Sequence, residues 1–219
     1  MFSRLNRAHL FLLALIALAA IPACQAFLPL PGAGTPESPV EPPSDVLLDV
    51  PPNGFPDSPA LPNDSGIEGV QTFPIKAEYH NHVNSHHVNS LPTPEGNLPP
   101  PFGQHFPAWQ NCGIYEQPVE LGSALHSMEH GAVWLTYRPN LDDAKVKALQ
   151  DLVRGHGFVL MSPYPPQTDD VVLSAWGVQL AIETVPDDRI AQFIAYYEQG
   201  PQNPEPGAPC SGAVGNPLP

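Results

Sequence analysis

Basic residues are scarce in this chain: eight Lys and Arg stand against 22 Asp and Glu, a formal net charge of −14 over 219 residues. A groove that grips nucleic acid phosphates needs clustered Lys and Arg. The sequence offers no such cluster, which excludes nucleic acid as a partner. Apolar stretches long enough for a bilayer are lacking as well. The run Leu10–Ile21 holds twelve apolar residues, short of the roughly 20 that a spanning helix needs, so a permanent transmembrane anchor is not expected. Proline is spread unevenly. Of 31 prolines, eighteen fall between Pro29 and Pro107 and only five between Glu120 and Gly200. That skew leaves room for one modest core, in the second half, and excludes a large multidomain enzyme. No internal repeat is visible.

The N-terminus has the layout of an export signal. Arg4 and Arg7 precede the apolar run, and the small residues of Pro22-Ala23-Cys24-Gln25-Ala26 follow it. Ile21-Pro22-Ala23-Cys24 resembles a bacterial lipobox, with Cys24 as the residue to be lipidated, while cleavage after Ala26 by an ordinary signal peptidase also suits the pattern. The leading reading is a lipoprotein-type signal peptide over residues 1–23 and a mature protein outside the cytoplasm, held to a membrane by its lipid. Cys112 and Cys210 are then the remaining cysteines, in a compartment where disulfides persist. Their simplest state is one disulfide; two unpaired thiols are the alternative. Residues 24–75, rich in turn formers and acids, read as a Pro-rich acidic linker that cannot bury enough surface to order itself. The compact domain is assigned to residues 76–212.

Within that domain, Leu121, Leu125 and Met128 recur at helical spacing between Glu120 and the stop at Gly131. Ala132–Tyr137 has strand composition. Asn140 is placed as the cap of a helix whose stripe is Leu141, Val146, Leu149, Leu152 and Val153, ending at Gly155. Phe158–Met161 reads as a strand, Val171–Glu183 as a strand bent at Gly177, and Pro186–Gln199 as a last helix. The order implies a small single-domain α+β sandwich with helices packed on a mainly antiparallel sheet, after the Pro-rich tether.

Histidine carries the chemistry. Seven of the nine lie between His80 and His130: His80, His82, His86 and His87 in an Asn-rich stretch, His105 alone, and His126 with His130. A neutral ring nitrogen is a good transition-metal ligand near pH 7. His126 and His130 stand at i and i+4, on one face of the expected helix, where two imidazoles can reach one ion. The string His126-Ser127-Met128-Glu129-His130 also matches the H-x-x-E-H pattern of inverted zinc proteases, which would make Glu129 a general base. Against these stands a bland alternative, in which the histidines cap the helix and hydrogen-bond within the fold. Met128 points about 200° away from His126 around the helix and reads as core.

The ordered motifs Pro99-Pro100-Pro101-Phe102-Gly103-Gln104-His105, Cys112-Gly113-Ile114-Tyr115, Leu125-His126-Ser127-Met128-Glu129-His130-Gly131, Ser162-Pro163-Tyr164 and Ser174-Ala175-Trp176-Gly177, with Gly200-Pro201 near the end, resemble the domain of unknown function 3105 family over about residues 78–210. Phe102-Gly103-Gln104-His105 stands where that family has Ser-Gly-Pro-His. The resemblance implies a bacterial, often membrane-tethered domain and leaves the activity to the histidines. Taken together, the expectation is an extracytoplasmic metal-binding domain for metal storage, delivery or sensing. Its ion is copper or zinc, its ligands are His105, His126 and His130, and Glu129 is a fourth ligand or a carboxylate orienting one ring. A metal-dependent hydrolase with Glu129 as base is the second reading. A non-catalytic envelope interaction domain is the third.

Overall fold

The computed structural model describes residues 60–75 and 87–219. The expected leader, Cys24, most of the expected linker, and His80, His82 and His86 lie outside them. The described elements follow the chain as β1 (Gln71–Thr72), β2 (Gly113–Ile114), α1 (Leu121–Glu129), β3 (Val133–Tyr137), α2 (Asp143–Val153), β4 (Val159–Pro163), β5 (Val171–Ala175), β6 (Val178–Ile182) and α3 (Arg189–Tyr197). The strands form one sheet in the order β1-β6-β5-β3-β4-β2. An α+β architecture is therefore present, on a mixed sheet in which three of the five strand pairings are antiparallel. β1–β6, β6–β5 and β5–β3 pair antiparallel, whereas β3–β4 and β4–β2 are parallel. Helix α2 is the reason for the first parallel pair: it carries the chain back along the sheet, so β4 starts at the same end as β3.

Side-chain alternation splits the core into two layers. Val133, Leu135, Val159, Met161, Leu173 and Leu180 face α2 and α3, packing against Leu149, Val153, Ile190 and Phe193. Trp134, Leu160 and Trp176 face the other way, onto Ala124, Leu125 and Met128 of α1. Met128 is thus a core residue. Helix α1 covers only part of its face, and irregular chain covers the rest. Inward positions there are polar and take backbone partners from that chain. Gln179 donates to Pro99 O at 2.8 Å and to Ser174 Oγ at 2.9 Å, pinning the segment before His105 to the sheet.

Four local expectations change. Asp142, not Asn140, caps α2, accepting from Ala144 N at 2.9 Å; the carboxylate one residue before the helix has the shorter reach to the unpaired amides. Val171–Glu183 is a hairpin rather than a bent strand. Gly177 takes φ +74° in its two-residue turn, a conformation that only glycine adopts without strain. Residues 67–75, assigned to the linker, belong to the domain: Ile67 and Ile75 are buried and β1 extends the sheet edge. At the other end the chain past residue 212 also pairs, with Val214 N donating to Trp109 O and Leu218 N to Ile114 O.

One buried carboxylate ties three elements. Asp170 accepts from Arg138 Nε after β3 at 2.9 Å, from Lys145 Nζ of α2 at 2.9 Å and from Val185 N before α3 at 3.0 Å. Burial pushes its carboxyl upward, but the Lys145, Val185 and Arg138 hydrogen bonds outweigh that and hold it at about 2, against an ordinary 3.8. A carboxyl depressed by folding stabilises above its unfolded pKa and loses that contribution as pH falls through the folded one, here about 2 kcal/mol in total. Asp170→Asn is therefore expected to lower urea stability by at least that amount near pH 7, with the deficit from wild type narrowing as pH falls from about 4 to about 2. Urea titrations across that range check it, and a deficit that does not change with pH contradicts it.

Candidate metal centre

Helix α1 is buried from Gly122 to Glu129. Its apolar side faces the sheet; its polar side is roofed by residues 103–110 and by the C-terminal segment. Gly122 allows the first roof to come close, because a Cβ there would lie 2.5 Å from Phe106 Cγ. The two backbones are then stitched by Phe106 N donating to Gly122 O at 3.2 Å and Gln110 N to Ser123 O at 2.9 Å. Ser127 Oγ adds a bond to Gln110 O at 2.7 Å. The second roof is fastened by the Cys112–Cys210 disulfide, with Cα atoms 5.3 Å apart, and by Asn203 Nδ2 donating to His130 O at 3.4 Å.

Between helix and roofs stands a row of imidazoles. Ring centroids lie 5.0 Å apart for His87 and His105, 4.8 Å for His105 and His126, and 4.5 Å for His126 and His130. Trp109 packs over the end of the row, 4.9 Å from the His130 ring. His105, His126 and His130 are each no more than 5 % exposed. Each uses Nδ1 in the same way: it faces Gly103 O at 2.9 Å in His105, Phe106 O at 2.6 Å in His126 and Pro209 O at 2.7 Å in His130. A carbonyl oxygen only accepts, so Nδ1 carries a proton in all three and Nε2 is the atom available for other chemistry.

The carboxylates face those Nε2 atoms. His105 Nε2 is 2.9 Å from Glu129 Oε2, and His130 Nε2 is 3.3 Å from Glu205 Oε2. Both rings of these pairs therefore meet an acceptor at each nitrogen. That geometry is satisfied by one proton shared between Nε2 and the carboxylate, or by a cation in its place. His126 differs. Burial, and then the neighbouring His130, push its imidazole down to about 4, so near pH 7 it is neutral with a lone pair on Nε2.

Two groups can hold an ion: His87, His105, His126 and Glu129, and separately His126, His130 and Glu205, with the ligand atoms of each group within 4.8 Å of one another. The four residues expected to share one site are thus divided, with His126 common to both groups. His105 and Glu129 lie in the first and His130 in the second. His87 was not among the ligands expected from the sequence, and neither was Glu205. His87 comes to the row through a bridge to His105, where Val88 N donates to His105 O at 2.8 Å. Glu205 sits in Pro204-Glu205-Pro206, which carries no periodic signal; only the pairing of Cys112 with Cys210 hints that this segment returns.

No curated protein and no solved structure matches the chain. A family described as Protein of unknown function (DUF3105) matches residues 95–212, which takes in α1, all of the sheet except its β1 edge, and every member of the two histidine groups except His87. The chain belongs to that family.

Proposed function

We propose that the domain binds one zinc or copper ion, held by His105, His126 and Glu129 with His87 completing the set. The observation that carries this reading is the shared use of Nδ1. Two of the set's buried rings, His105 and His126, and the adjoining His130 each commit that nitrogen to a backbone carbonyl, the arrangement by which metal proteins fix the tautomer and aim Nε2. Three imidazoles and a carboxylate suit a four-coordinate zinc or copper ion. A set whose four positions all come from protein favours holding or passing on the metal over catalysis. Glu129 is 3 % exposed and engaged by His105, which supports a ligand role over that of a base acting on water.

Storage, delivery or sensing outside the cytoplasm is the role that fits. The export signal and a lipid on Cys24 would place the domain at a membrane, and the Cys112–Cys210 pair suits an oxidising compartment. An intact mass of the mature N-terminus decides the anchor, since a chain starting at Phe27 without lipid overturns it. The metal reading is tested on protein purified without an affinity His-tag or added metal. Elemental analysis and calorimetric titration of the stripped protein with zinc and with copper should give one equivalent. No saturable uptake of either ion overturns it.

A further inference from the structure

The second histidine group rests beside the first, and its geometry is not that of an independent site. His126 belongs to both groups. It has a single nitrogen to give, because Nδ1 is bound to Phe106 O at 2.6 Å. Two ions cannot take the same Nε2 lone pair, so the two groups exclude each other through this ring. Each group has one partly exposed member, Glu205 at 27 % in the second and His87 in the first, and the remaining ligands are buried. Only Glu205 among the two is a carboxylate, since Glu129 is 4 % exposed, so an ion coming from water is drawn first to Glu205, beside His130 at 3.3 Å. From there the adjoining ring is His126, and beyond it His105, at centroid spacings of 4.5 and 4.8 Å.

We propose that His130 and Glu205 form an outer landing position from which His126 hands a divalent transition-metal ion to the inner set of His105, Glu129 and His87. This rests on the metal-binding reading and adds the route to it. The hand-over is ligand exchange, one donor at a time. The ion keeps His126 Nε2 while the Glu205 and His130 ligands are replaced by Glu129 and His105. No electron is transferred, and the proton held between His105 Nε2 and Glu129 leaves to solvent as the ion takes its place. Release follows the same steps in reverse, so Glu205 governs the rate in both directions. Its charge at the rim accelerates capture, as rim charges do in other associations.

The test is stopped-flow transfer of zinc between a chromophoric chelator and the full mature chain, in both directions, for wild type, Glu205→Gln and Glu129→Gln. In Glu205→Gln, loading and release should both slow by about tenfold, so that their ratio moves far less than either rate. Glu129→Gln should instead lose equilibrium affinity, by about 10- to 100-fold. His130→Gln provides a second variant and should reproduce the Glu205→Gln pattern. Unchanged rates in Glu205→Gln overturn the route, as does a fall in affinity as large as the fall in loading rate. Wild type that binds two zinc ions at once also overturns it, because His126 could not then be shared in turn. Wild type that takes up no zinc or copper overturns the metal reading itself, a result distinct from each of these.

Discussion

Replacing His126 with alanine should abolish stoichiometric metal uptake. It is the one ring common to both groups, and its Nε2 is the lone pair that burial keeps unprotonated near pH 7. Removing it takes a ligand from the resting site and the bridge from the outer position together, so affinity should fall by at least about 100-fold. The fold should survive. The side chain lies on the roofed side of α1, away from the cluster of Ala124, Leu125 and Met128 that packs on the sheet. The local cost is an unpaired Phe106 carbonyl, about 1–3 kcal/mol. Calorimetric titration with zinc and copper, beside thermal unfolding of the metal-free protein, separates the two effects. His156→Ala is the control: its ring, 36 % exposed, pairs with Glu198 and belongs to neither histidine group, and metal content should not change. If His126→Ala retains a full equivalent, the buried histidines only support the fold. The structure also ranks His126 above its helical neighbour. The i, i+4 pattern treats His130 as an equal ligand, whereas its carboxylate partner is Glu205 and not Glu129.

The second large effect concerns stability. The disulfide joins residues separated by 98 positions, a loop whose closure removes up to ~4.7 kcal/mol of unfolded-chain entropy. Cys112→Ser with Cys210→Ser should therefore cost about 2–5 kcal/mol, read as a lower urea midpoint with little change in slope. The segment it holds also supplies Glu205 and Pro209 O to His130. Other ties remain, including Cys112 N to Cys210 O at 2.7 Å and Asn111 Nδ2 to Gly215 O at 2.8 Å, so the double variant should stay folded at moderate temperature. Recovery of both cysteines as free thiols in non-reducing peptide mapping, or an unchanged midpoint, contradicts this.

What could be read from the chain alone has local causes. The stripe Leu121, Leu125, Met128 and the stop at Gly131 mark α1 because helix periodicity and a positive-φ glycine act within one or two turns. The same holds for α2 and α3, and for the β-rich composition of Val133–Tyr137. Putting His126 and His130 on one face follows directly from the helix. Cysteine count and an N-terminal pattern like that of an export signal were enough to suggest the Cys112–Cys210 pair.

The remainder depends on residues far apart in sequence, whose meeting leaves no periodic trace. The linker boundary was misplaced because β1 is two residues long and is held by pairing with β6 rather than by its own composition. His105 belongs beside His126 because Phe106 and Gln110 bond to the backbone of α1, a contact that Gly122 makes possible. His87 arrives through its bridge to His105, and Glu205 through a Pro-rich segment returned by the disulfide. Which of these side chains fall into one candidate group and which into the other was decided by these long-range contacts. Residue type and spacing establish which side chains could bind a metal; which carboxylate faces which ring is set by the packing of two irregular segments over one helix.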